Sequence, residues 1–101
     1  MSAFDYTDHH IDWEGIALLV KWCPSWLGQN AHHQIAHLEI YSADRQPLPI
    51  TETGYRSRFI DKEAVEALGG PVAFTRAWLV EEAASPAWKK HVSTSRQLSL
   101  F

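Results

Sequence analysis

The sequence predicts an α+β fold: a three-stranded, mainly antiparallel meander followed by two or three helices packed on one sheet face. Apolar residues alternate with period two as far as Ile60, and the pattern turns helical after Asp61. The links between the alternating segments are short, which favours antiparallel neighbours. At 101 residues the chain holds one domain, expected over residues 1–95 with a tail at 96–101. Five Trp, four Phe and three Tyr can fill a core of that size.

Residues 1 to about 12 read as a polar lead-in containing Asp5, Asp8, His9, His10 and Asp12. Ile16 to Trp22 is the first expected strand, with Ile16, Leu18, Val20 and Trp22 on one face. Its other face carries Ala17, Leu19 and Lys21, so the strand should be largely buried and end at Pro24. Gly28 and Asn30 suit a connecting turn. The second strand spans about Gln34 to Ser42, where Ala36, Leu38 and Ile40 alternate with His37, Glu39 and Tyr41.

Residues 43–47 read as a turn, and a third strand follows over Thr51 to Ile60. Tyr55, Ser57 and Phe59 share one of its faces and Arg56 and Arg58 the other, while Pro47 and Pro49 place its start at a sheet edge. Asp61 is suited to cap a helix over Lys62 to Leu68, with Gly69-Gly70 as its stop. Pro71 opens a second helix to about Ala84, with Phe74, Ala77, Trp78 and Glu81 in one stripe and Val72, Leu79 and Ala83 beside it. Ser85-Pro86 starts a short third helix through about Val92.

Charge and cysteine content narrow the function classes. A formal charge of −3 gives no basic field for broad nucleic-acid binding, and no sequence-specific binding is expected. Cys23 is the single cysteine, which excludes an internal disulfide and fits a reducing compartment. No apolar run reaches the roughly 18–20 residues of a membrane span, and the first residues lack the form of a signal peptide. The expectation is a cytoplasmic protein.

The candidate enzymatic residues are few. His33 and His37 have the spacing of a helical His-x-x-x-His pair, the first half of a zinc signature, and Asp8, His9 or Glu39 would supply a third ligand. The segment reads as loop into strand, however, and polar loop residues explain it more simply. Cys23 beside a histidine could act as a nucleophile, yet its place at the end of an apolar strand fits a buried thiol better. Arg56 and Arg58 could grip a phosphate or carboxylate, with Tyr55 or Thr53 as donors. The plain alternative is a solvated face paired with Glu39 or Glu52. Trp26 is a candidate for a partner surface or for the rim of the core. The balance favours a non-enzymatic protein without a cofactor.

The last five residues, Gln97-Leu98-Ser99-Leu100-Phe101, are the most specific signal, read as a docking peptide or, in the plain alternative, as a last strand or helix turn that folds Leu98, Leu100 and Phe101 back onto the domain. Burying Leu98, Leu100 or Phe101 in a partner would contribute about 1.5–3 kcal/mol each, and the Gln97 amide can fix register at a pocket rim. Ordering five residues costs about 1–2 kcal/mol of backbone entropy each, so a micromolar contact is expected. The tail resembles the peptide with which bacterial replication, repair and mobile-element proteins dock on the DNA sliding clamp. A given five-residue window fits the strict form at a rate of order 10⁻⁶ at ordinary residue frequencies. The resemblance implies that Leu100 and Phe101 enter a hydrophobic cleft on the clamp, with Leu98 alongside and Gln97 in a small subsite.

The body, through Ile50 to Ser57, resembles small proteins of proteobacterial genomes and mobile elements, which implies a setting and no mechanism. The leading expectation is an adaptor or modulator of DNA replication or repair that binds the clamp through its tail. A mobile-element anti-defence or host-takeover protein is the second reading. A small metal- or phosphate-dependent enzyme using the histidines or Arg56/Arg58 is the third.

Overall fold

A computed structural model describes residues 6–27 and 35–99, with side chains for 6–24 and 35–94. The chain forms β1 (Thr7–Trp13), β2 (Ile16–Leu27), β3 (Ile35–Ser42) and β4 (Tyr55–Asp61), then α1 (Lys62–Ala67), α2 (Pro71–Ala83) and α3 (Pro86–Ser99). The strands make one four-stranded sheet in the order β1-β2-β3-β4, antiparallel throughout. The α+β meander followed by helices is as expected; the strand count is four instead of three.

The added strand is β1, within the stretch that reads as a polar lead-in. Trp13 pairs with Ile16 across a two-residue turn. Glu14 and Gly15 both have positive φ, 47° and 83°, the geometry of the hairpin turn whose twist matches the flanking strands. Ile11 and Trp13 supply the apolar anchor, and Trp13 is buried against the tilted ring of Trp88 on α3, 6.0 Å away between centroids.

β2 runs beyond Pro24. Its register with β3 shifts between Cys23 and Leu27, so the proline, which has no N–H to give, lies in the irregular stretch of the ladder. Between β3 and β4 the chain makes a tight turn over Ala43–Arg45 and drops Leu48 and Ile50 into the core. Gly54 closes this connection at φ +79°, with its carbonyl accepting from the Ser42 amide at 2.9 Å.

Register fixes the two faces of the sheet. Leu18, Val20 and Trp22 of β2 stand beside Ser42, Ile40 and Leu38 of β3, and Ile40 and Leu38 stand beside Arg56 and Arg58 of β4. This face carries the core, completed by Val65 of α1 and Leu79 of α2. The other face presents Lys21, Cys23, His37, Glu39, Tyr41, Tyr55, Ser57 and Phe59, and no helix packs on it among the described residues. Ala17 is exposed and Leu19 and Lys21 are half-buried, so β2 is covered on one side and not on both.

The helix starts follow the sequence. The Asp61 carboxylate accepts from the Glu63 amide at 3.3 Å, Pro71 opens α2, and the Ser85 hydroxyl accepts from the Trp88 amide at 3.2 Å. The buried line of α2 is Thr75 and Leu79; Phe74 and Trp78 lie at its margin, and Ala77 and Glu81 face water. α3 continues past Val92 to Ser99, seven residues beyond its expected end.

Candidate functional site

Arg56 and Arg58 are two residues apart on β4 and therefore project to the same, helix-bearing side. Their guanidinium carbons lie 5.6 and 4.8 Å from the centre of the Trp78 ring, and Arg58 also lies 5.7 Å from that of Phe74. Phe74 and Trp78 are one helical turn apart on α2, with ring centroids separated by 6.1 Å. The result is a cation–π layer joining the sheet edge to the helix. Neither arginine has a carboxylate within ion-pair distance among the described residues. Glu39 is on the opposite face and cannot serve as their partner. Arg58, Leu68, Phe74, Ala77, Trp78, Glu81 and Glu82 line a groove of about 320 Å³.

Tyr55, grouped with the arginines on the sequence, is separated from them by the sheet. It packs its ring, tilted by 48°, against that of Tyr41 at 4.8 Å between centroids, on the face without helices. That face holds a polar network centred on Glu39. The Tyr41 hydroxyl donates to Glu39 Oε1 at 2.5 Å, and His37 Nδ1 lies 3.4 Å from Oε2. The same Nδ1 is 2.7 Å from the Tyr6 hydroxyl, so a proton on it faces both oxygens. Partial burial and hydrogen bonding to the Glu39 carboxylate push the Tyr6 pKa up to about 12. Tyr41 is pushed well above its ordinary value, first by its bond to Glu39 and then by burial. Phe59 packs its ring 4.6 Å from that of His37, and Lys21 pairs with Asp8 at 3.5 Å.

The other candidates divide. His37 belongs to the Glu39 network, whereas His33 lies outside the described residues, as does the Trp26 side chain. His9 is on the helix-side face of β1, with Nε2 3.1 Å from the Thr7 hydroxyl, and Asp8 is engaged by Lys21. Among the described residues no three His, Cys, Asp or Glu side chains form a metal-holding group. Cys23 is buried, 1 % exposed, directly across from His37 in the ladder. Gln97 and Leu98 fall in the last turn of α3 by backbone, and their side chains, with Leu100 and Phe101 entire, lie outside the described residues.

A family model for the third domain of KlcB matches residues 6–88. The chain belongs to that family. No curated protein and no solved structure matches. The KlcB third-domain match begins at Tyr6, a member of the Glu39 network, and ends at Trp88, the residue that packs against Trp13. It takes in the whole sheet and the arginine–tryptophan layer, and it stops nine residues before Gln97. No helix among the described residues is long and apolar enough to cross a membrane.

Sequence reasoning found the shared face of Arg56 and Arg58 but not their aromatic partners. The available signal was Phe74 and Trp78 at the i, i+4 spacing, which reads equally well as a core stripe. Tyr6, one residue before β1, was missed along with that strand. Glu39 and Tyr41, at i and i+2 on a strand, were already on one face by alternation.

Proposed function

We propose that this KlcB third-domain protein is a non-enzymatic, cytoplasmic adaptor that docks on the bacterial DNA sliding clamp through Gln97, Leu98, Leu100 and Phe101. The observation that carries the reading is the strict Gln-Leu-Ser-Leu-Phe sequence at 97–101, outside the 6–88 span that makes the family domain. The exposure of α3 over Lys89–Thr94 supports it. Lys89, Lys90, His91, Ser93 and Thr94 are exposed, and Val92 is the one half-buried residue between them. Ser93, Thr94 and Ser95 are weak helix formers, each less favourable than Ala by roughly 0.5 kcal/mol, so a partner can unwind the last turn at small expense. The folded body then acts as a carrier, and the tail supplies a micromolar, exchangeable contact.

The test is displacement of a labelled peptide already seated in the clamp's protein-binding cleft. The full chain should displace it competitively, and a Gln97→Ala variant should do so more weakly. Addition of the chain to clamp-dependent DNA synthesis then separates an adaptor, which leaves synthesis running, from a host-takeover protein, which stops it.

A further inference from the structure

β4 is an edge strand with β3 on one side and no strand on the other among the described residues. Its ladder with β3 runs without a shift from Ile35↔Asp61 to Tyr41↔Tyr55, and no proline interrupts Tyr55–Asp61. The edge has neither a bulge nor a proline; its inward-pointing charges are Arg56 and Arg58, and its Tyr55 carbonyl accepts from the Thr51 and Thr53 hydroxyls at 2.9 and 3.3 Å, which leaves the stretch from Ser57 onward for pairing. The opposite edge differs, since β1 carries Asp8, His10 and Asp12 on its helix-free face. Large apolar side chains flank the β4 edge on both sides, with Phe59 and Leu68 each 54 % exposed. Above it, Arg56 and Arg58 rest on Trp78 with no carboxylate partner among the described residues.

We propose that the free edge of β4 takes up an extended segment of a partner protein as a fifth, antiparallel strand, selecting acidic side chains at alternate positions. The pleat dictates the pattern. Residues opposite Ile60, Arg58 and Arg56 all face the helix layer, so on that face the ligand reads apolar, acidic, acidic at alternate positions. The first side chain meets Ile60 and the Leu68/Phe74/Trp78 groove; the two carboxylates meet guanidinium groups held 5.6 and 4.8 Å from the centre of the Trp78 ring. The intervening position opposite Phe59 takes an apolar side chain on the other face. Arginine suits this role, because stacking on an aromatic ring leaves its planar N–H fork open to a carboxylate.

Charge disfavours a second copy of the chain in the two registers that overlap the arginines. Two-fold antiparallel pairing centred on Ser57 sets Arg56 opposite Arg58, and pairing centred on Arg58 sets that residue opposite itself.

The experiment titrates the ¹⁵N-labelled full chain with a capped synthetic peptide containing Ile-Val-Glu-Thr-Glu, and with the same peptide bearing Lys for both Glu. Amide shifts should concentrate in 55–61 and around Leu68, Phe74 and Trp78. The Lys peptide should bind at least tenfold more weakly, a comparison that leaves the protein unchanged. An Arg56→Gln/Arg58→Gln variant, less stable but folded by its amide spectrum at the titration temperature, should lose a similar factor. Equal binding of the two peptides, shifts elsewhere on the molecule, or concentration-dependent dimerisation that blocks the peptide would overturn the proposal.

Discussion

Arg58 on β4 holds its guanidinium 4.8 Å from the centre of the Trp78 ring on α2, and this contact fastens the sheet edge to the helix layer. Arg58 as a whole is half-buried, as suits a side chain that packs its aliphatic stem and keeps its charge near water. An exposed cation–π pair contributes about 0.5–1 kcal/mol and a desolvated one about 2 kcal/mol. Arg58→Ala should therefore destabilise the domain by about 1–2 kcal/mol, and Arg58→Lys by less. Urea unfolding followed by Trp fluorescence measures both, and a double-mutant cycle with Trp78→Leu should show a positive coupling between the two residues.

Thr75 points the other way. It is fully buried on α2, and its hydroxyl has no hydrogen-bond partner among the described residues. A buried unsatisfied hydroxyl costs about 1–3 kcal/mol, whereas valine has the same shape without the polar atom. Thr75→Val should raise stability by about 1 kcal/mol, seen as a melting temperature higher by about 4–8 °C.

Gly54 tolerates no side chain. A Cβ there would lie 2.6 Å from the backbone of Arg45 and from the Ser42 hydroxyl oxygen, at a φ of +79°. The left-handed conformation alone costs an L-residue roughly 1–2 kcal/mol, and the backbone contact cannot relax cheaply. Gly54→Ala should lower stability by at least about 2 kcal/mol, or roughly 8–16 °C in melting temperature, in calorimetry.

The Glu39 network predicts an alkaline transition. Unfolded tyrosine ionises near pH 10, but Tyr6 in the folded protein holds its proton until about 12. A raised folded-state pKa gives stability that is complete below the unfolded value and is lost between the two. Stability should fall across that window, and Tyr6→Phe should flatten the fall. Tyrosinate absorbance should show Tyr6 and Tyr41 ionising late, and Glu39→Gln should bring both down.

Much of the fold was legible in the sequence because the core strands announce themselves: Leu18, Val20 and Trp22, then Ala36, Leu38 and Ile40, leave one period and one inward face. Asp61 and Ser85 likewise mark helix starts that need nothing beyond local chemistry. β1 was not legible because it is an edge strand with a solvated face. Its two histidines and two aspartates outweigh Ile11 and Trp13 until the Glu14-Gly15 turn is read as a hairpin. The extension of α3 was hidden in residues of weak helix propensity. At the site, alternation placed Arg56 and Arg58 together, but their meeting with Trp78 is a tertiary event that no local pattern encodes. The separation of Tyr55 from the pair follows from the same alternation.

The most direct test of the clamp reading is calorimetric titration of the full chain into purified bacterial sliding clamp, beside a Leu100→Ala/Phe101→Ala variant of equal melting temperature. The account predicts micromolar binding by the parent chain and none by the variant. Absence of binding by the parent, with the same clamp preparation binding an established peptide, would contradict it, as would equal binding by both proteins.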